Sequence, residues 1–114
     1  MDAADVADLF APFGPVRIKR MFGGLGVWAD DVMFALVFDG EVYARVDDGN
    51  RALFAAEECA AFSYTRGAKV VELGYRRLPA DAFDDADRLT LYAEAALEAA
   101  RRKAAAKTKR RAGR

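Results

Sequence analysis

Residues 32–46 read Val32-Met33-Phe34-Ala35-Leu36-Val37-Phe38-Asp39-Gly40-Glu41-Val42-Tyr43-Ala44-Arg45-Val46, and their pattern decides the fold class. The first seven are apolar without a break, as in a strand covered on both faces. Asp39-Gly40 is the dipeptide a type I′ hairpin turn favours, because both of its central residues need positive φ. The return alternates, with Val42, Ala44 and Val46 on one face and Glu41, Tyr43 and Arg45 on the other. Such a hairpin belongs in an antiparallel sheet, its central strand covered by helices on one side and by large side chains or a partner on the other.

Towards the N-terminus, Leu25 to Ala29 reads as the preceding strand, joined through the polar turn Asp30-Asp31. Val16 and Ile18 alternate with Arg17 and Lys19 in another strand, which runs into Met21-Phe22-Gly23-Gly24. Residues 2–11 form a short helix, with Val6, Leu9 and Phe10 at helical spacing and Asp2 or Asp5 at its positive end; Pro12, Gly14 and Pro15 stop it. Towards the C-terminus, Asn50 is placed to cap a helix from Arg51 to about Ala60, with Leu53, Phe54 and Ala56 facing the core. Strands around Phe62 to Thr65 and Lys69 to Leu78 follow, and Pro79 ends the pairing. Asp84 or Asp85 caps a last helix whose stripe is Leu89, Tyr92, Ala93, Ala96, Leu97 and Ala100. The expectation is a two-layer α+β domain over residues 1–100: a mainly antiparallel sheet of about five strands packed with three helices. Residues 101–114 form a basic tail, helical at first and frayed by Thr108.

At 114 residues, 54% hydrophobic and 32% charged, the chain has room for one core and the composition of a globular domain. The longest apolar run with large side chains spans seven residues, against roughly 20 for a membrane helix, and the acidic N-terminus does not resemble a secretory signal. A cytoplasmic protein without membrane contact is expected. The single cysteine, Cys59, sits beside Glu57 and Glu58, which disfavour a thiolate, so it reads as a small core residue. Charge is divided sharply. The first 100 residues carry ten basic and 18 acidic side chains, a net −8, whereas 101–114 carry eight basic ones and no acid.

No catalytic constellation emerges. Histidine is absent, serine and cysteine occur once each, and triads and structural zinc are thereby excluded. The aspartate groups Asp30/Asp31, Asp47/Asp48 and Asp84/Asp85/Asp87 could serve carboxylate chemistry, but they fall where turns and caps need them. Asp47-Asp48-Gly49-Asn50 lacks the ligand spacing of a calcium loop, and no metal or cofactor is expected. Met21-Phe22-Gly23-Gly24-Leu25-Gly26, after Arg17, Lys19 and Arg20, is the most distinctive segment. It lacks the spacing of a phosphate-binding loop and joins two strands, so a structural bend or bulge is favoured, with Phe22 as its anchor. The tail residues Arg101, Arg102, Lys103, Lys107, Lys109, Arg110, Arg111 and Arg114 suit nonspecific nucleic-acid contact, or equally a solubilising terminus.

From about Val16 to Ala100 the sequence resembles the N-terminal domain of the TfoX/Sxy family, bacterial proteins named for regulators of natural competence. The resemblance is carried by Met21-Phe22-Gly23-Gly24 with Gly26, by Phe34-Ala35-Leu36, and by Tyr43 with Arg45-Val46-Asp47. Phe62 with Tyr64, and Tyr75 followed by Leu78-Pro79, complete it. It implies an antiparallel sheet with packed helices and a regulatory, non-enzymatic role; full-length regulators carry a second domain and act with a cyclic-AMP receptor protein at promoters. Here the basic tail stands where that domain would follow, as in a stand-alone member, and Gly74-Tyr75-Arg76 replaces a common tyrosine pair. An unidentified protein partner is expected, with Tyr43, Arg45 and Tyr75 as exposed contact residues or as cross-strand pairs. The alternative is a small-ligand or enzymatic domain using the sheet face around Arg20, Phe22, Tyr64 and Tyr75, for which a deep polar pocket would be the mark.

Overall fold

Helix α1 (Ala3–Phe10) starts in a reciprocal capping box: the Asp2 carboxylate accepts from Asp5 N at 2.9 Å and the Asp5 carboxylate from Asp2 N at 3.0 Å. This computed structural model describes residues 1–21 and 23–112, with the backbone alone at Tyr64, Val71, Glu72 and 109–112. Val6 and Phe10 bury the inner face of α1.

Four strands follow as a meander, β1 (Arg17–Met21), β2 (Gly24–Ala29), β3 (Val32–Phe38) and β4 (Glu41–Arg45). The β2–β3 turn passes through Asp30 and Asp31 at φ 49° and 62°, and the β3–β4 turn through Asp39 and Gly40 at 53° and 77°. Both are therefore left-handed two-residue turns, of the hand that matches strand twist. Then β5 (Ala61–Arg66) and β6 (Lys69–Arg77) form a second hairpin, and β6 inserts beside β4. The order is β1-β2-β3-β4-β6-β5, antiparallel throughout.

The sheet has six strands, where about five were expected, because the edge segments β1 and β5 both pair along most of their length. It carries two α-helices, not three. After Asn50 the chain makes only a 3-10 turn, Arg51–Phe54. Phe54 alone is buried there, while Leu53 and Ala56 face solvent, so an α-helix at this point would have no apolar stripe to cover. Asn50 gives no capping bond to that turn. Its side chain points inward instead, accepting from Asp47 N at 2.8 Å and donating to the carbonyls of Arg45 and Ala95 at 3.0 and 3.1 Å.

α2 (Ala86–Ala112) begins at Asp85, whose Oδ1 accepts from Asp87 N and Arg88 N. Leu89, Tyr92, Ala93, Ala96, Leu97 and Ala100 are all buried against the sheet, and the helix continues past Thr108 to Ala112. The main core lies between this stripe, α1 and one face of the sheet. A register shift in the β2–β3 pair shapes that face. Val27 pairs with Ala35 but Trp28 with Met33, leaving Phe34 as an extra residue. Phe34, Ala35 and Val37 thereby all join the helix-side core, and Leu36, Phe62 and Tyr75 gather in a second cluster with Met33, Tyr43 and Leu73 against it.

Candidate functional site

The residues singled out in the sequence divide between two places. Met21, Gly24 and Gly26 lie on β1 and β2, Gly23 at the turn between them, and Tyr43, Arg45 and Tyr75 on β4 and β6. Cross-strand partners share a face, and the pairs Lys19–Gly26, Gly26–Leu36, Leu36–Tyr43 and Arg45–Tyr75 run across the face opposite the helices. Pro79 is buried beyond β6 and leads into the 3-10 turn Ala80–Phe83. Phe22 and the Tyr64 side chain lie outside the described residues.

Tyr75 is not an exposed contact residue. Only 6% of it is accessible, its hydroxyl donates to Met33 O at 3.4 Å, and burial pushes its phenol above the ordinary value, with Arg45 opposing that rise. Arg45 is half-buried and occupied as well. Its Nη1 donates to Leu73 O at 2.8 Å and its Cζ stands 5.2 Å from the centre of the Tyr75 ring. The half-buried Tyr43 ring sits edge-on to Phe62 at 4.9 Å. Packing with Phe62 of β5 and Leu73 of β6 makes all three residues part of an internal joint.

Between these aromatics and the glycine bend, the helix-free face holds a cavity of about 370 Å³. Met21, Met33, Leu36, Phe62, Leu73 and Tyr75 form its walls, which are almost wholly apolar. The deep polar pocket that would mark an enzyme here is replaced by an oily one. Nor are Arg20 and Tyr75 brought together. Arg20 pairs with Leu25, on the other face, and lines a separate cleft with Asp2, Gly23 and Asp39. Sequence reading passed over Met33 and Leu73 as wall residues. The uninterrupted run 32–38 did signal that both faces of β3 would be covered, but without the bulge at Phe34 its alternation cannot be assigned to faces.

The second place is the far end of α2. Arg101 donates to Asp30 of the β2–β3 turn, and Arg102 reaches Asp47 with Nε at 2.7 Å and Nη2 at 2.8 Å. The Arg102 hydrogen bond is the main reason the Asp47 carboxyl lies below the ordinary carboxylate range, and the N–H of Gly49 adds to it. Two of the eight tail cations are thus directed at the acidic body. Lys103 and Lys107 are exposed, and repulsion from Arg45, followed by burial and Lys107, holds the Lys103 ammonium below its usual pKa. The side chains of Lys109, Arg110 and Arg111, and the whole of Arg114, lie outside the described residues.

One polar cluster escaped the sequence reading. The Tyr92 hydroxyl accepts from Arg88 Nη2 at 2.8 Å and donates to Asp81 at 3.0 Å, and Arg88 Nε lies 3.2 Å from the same carboxylate. It ties the 3-10 turn Ala80–Phe83 to α2. Nothing in the spacing of Asp81, Arg88 and Tyr92 announces it except that Arg88 and Tyr92 share a helix face. Among the described residues no group of three or more acids or cysteines could hold a metal ion, and no helix is long and apolar enough to cross a membrane.

The TfoX N-terminal domain family matches residues 8–100. Protein Sxy of Escherichia coli (strain K12) is 25% identical over 93 residues, covering 82% of this chain and 44% of the relative. The DNA transformation protein TfoX1 of Aliivibrio fischeri (strain ATCC 700601 / ES114) is 33% identical over 62 residues, covering 54% of this chain and 30% of the relative. The chain therefore spans less than half the length of these curated relatives. The family match extends over residues 8–100 of the 114, and the chain belongs to the TfoX N-terminal domain family.

Proposed function

We propose that this protein is a non-enzymatic regulatory module of the TfoX type that associates weakly and nonspecifically with DNA through the basic part of α2, and acts in transcription regulation through a protein partner. The observation that carries it is the course of α2. The helix leaves the core after Ala100 and runs on to Ala112, through a segment holding basic residues and no acid. At 1.5 Å per residue this is an arm of about 18 Å. Arg101 and Arg102 anchor its root to Asp30 and Asp47, while Lys103 and Lys107 face solvent on its length. The kinship supports the reading, since the name of the Aliivibrio fischeri relative ties that protein to DNA transformation.

The decisive experiment measures binding to a random-sequence duplex at several salt concentrations, for the full chain and for one ending at Arg102, which keeps both anchoring arginines. Neutralising four to six phosphates gives a log–log salt slope of about −4 to −5 for the full chain, and the shortened one should lose binding. Equal binding by the two chains would remove the tail from the mechanism.

A further inference from the structure

The cavity on the helix-free face combines features that no purely structural role requires, and they do not depend on the basic tail. Its walls are apolar, and behind two of them, Met21 and Met33, lies the N–H of the Trp28 indole. A Cβ built on Gly26 would stand 2.5 Å from Met21 Sδ, 2.8 Å from Met33 Sδ and 3.1 Å from Trp28 Nε1, so the three side chains meet over the space a side chain at 26 would fill. Met21 and Met33 are cavity walls. Trp28 Nε1 is buried and donates to no acceptor among the described residues, a condition native proteins rarely leave in place. Lys19 stands with Nζ 5.0 Å from the centre of the Trp28 ring and makes no ion pair among the described residues. Among the described residues no carboxylate lines the cavity.

We infer that this cavity is a binding site for a small amphipathic acid: an apolar body seated among Met33, Leu36, Phe62 and Leu73, and a single anionic head accepting from Trp28 Nε1 beside Lys19. Size and charge select the occupant. At about 30 Å³ per water-sized group, the cavity holds roughly a dozen non-hydrogen atoms, which suits one short acyl or aromatic acid and not a helix or strand of a partner. The unmet donor and the cation over its ring lie together behind the Met21–Met33 wall, so a neutral or cationic head would leave that polar requirement unanswered. Met21 and Met33 are flexible thioether side chains that can swing aside and expose the indole N–H to the incoming head.

Trp28 is the only tryptophan, so its single indole N–H resonance reports on the site without mutation. The full 114-residue chain is titrated with decanoate below its micelle concentration, with decanol and decylamine in parallel arms. Decanoate should saturate, moving the indole resonance in the direction of a stronger hydrogen bond, and decanol and decylamine should each bind at least about tenfold more weakly, as expected when a charge-assisted bond is lost. G26V fills the space over residue 26 against flexible sulfurs, and W28F keeps an aromatic ring without the donor; because W28F also removes the indole resonance, its affinity is read by isothermal titration calorimetry beside wild type. Each should weaken decanoate at least about tenfold while the far-UV spectrum and melting midpoint stay near wild type. No saturable shift with wild type, equal binding of decanol, or unchanged affinity in W28F would each overturn the assignment. So would a shift that follows protein concentration in place of decanoate, since that is the behaviour of a face occupied by a second copy.

Discussion

Arg102 grips Asp47 with two parallel hydrogen bonds, Nε at 2.7 Å and Nη2 at 2.8 Å to the two carboxylate oxygens, and so fastens the first turn of α2 beyond the core to the loop after β4. The geometry is the fork-to-fork arrangement that arginine alone provides.

D47N should therefore be destabilising in a pH-dependent way. The folded pKa of Asp47 is depressed, so its stabilisation is complete above the unfolded carboxylate value near 3.9 and is lost as pH falls through the lower folded value. With side-chain exposures of 29% for Asp47 and 47% for Arg102, solvent screening reduces the effect to about 0.5–1 kcal/mol. Thermal unfolding followed by circular dichroism should place D47N about 3–6 °C below wild type at neutral pH. The gap should close as the pH is lowered beneath about 4. A gap of constant size down to about pH 2 would show that the loss is steric and not electrostatic.

Asn50 predicts a larger effect. It is the one buried polar or charged residue among those described, 5% exposed, and it satisfies three backbone groups from two elements. N50A leaves Asp47 N and the carbonyls of Arg45 and Ala95 without these partners, at a cost of about 2–3 kcal/mol. N50D keeps the acceptor for Asp47 N but sets a carboxylate against two carbonyl oxygens, and should be worse than alanine at neutral pH. Urea midpoints of the two variants order them directly, and N50D equal to or above N50A would contradict the assigned orientation of the amide.

How far the sequence anticipates this molecule depends on whether a signal is local. The β3–β4 hairpin, the capping aspartates of α1 and α2 and the apolar stripe of α2 are written in neighbouring residues and are found where the pattern puts them. The α-helix expected after Asn50 fails because Asn50 satisfies backbone groups as distant as Ala95, a choice no window around residue 50 contains. The candidate site was legible in its glycines and tyrosines but not in its character. Strand alternation puts Tyr43 and Arg45 on the helix-free face, as found, but reads that face as exposed, whereas Phe62, Leu73 and Tyr75, distant in sequence, cover it.

The two glycines of the bend should respond unequally to the same substitution. A Cβ at Gly24 would lie 2.1 Å from Val37 O, a backbone atom held in the sheet, whereas the atoms around Gly26 are the far ends of methionine and tryptophan side chains. G24A must push β2 from β3 and should cost more than about 2 kcal/mol, and G26A should stay within about 1 kcal/mol. Denaturant unfolding of the pair tests this. Similar losses at both positions would mean that the glycines serve the turn's flexibility and not the packing of strands.

Cys59 gives a probe of local opening. The thiol is fully buried, and burial first, then the charge of Glu58, pushes its pKa up. Its N–H donates to Ala56 O at 2.9 Å and its carbonyl accepts from Arg76 Nη1 at 3.3 Å, so the loop before β5 is fixed to β6 through its backbone. Only the thiolate reacts, so labelling in native buffer requires both exposure and ionisation, and should be at least about 100-fold slower than in the unfolded chain. Between Asn50 and β5 only Phe54 and Cys59 are buried, and this segment is expected to lift away while the strands stay paired. The labelling rate should consequently rise with urea along a shallower slope than global unfolding does, reaching the global line only near the midpoint. R76A, which frees the Cys59 carbonyl, should raise the native labelling rate several-fold with little change in that midpoint. If labelling follows the global slope from the start, the loop opens only with the whole domain, and its two buried side chains belong to the same cooperative unit as the sheet.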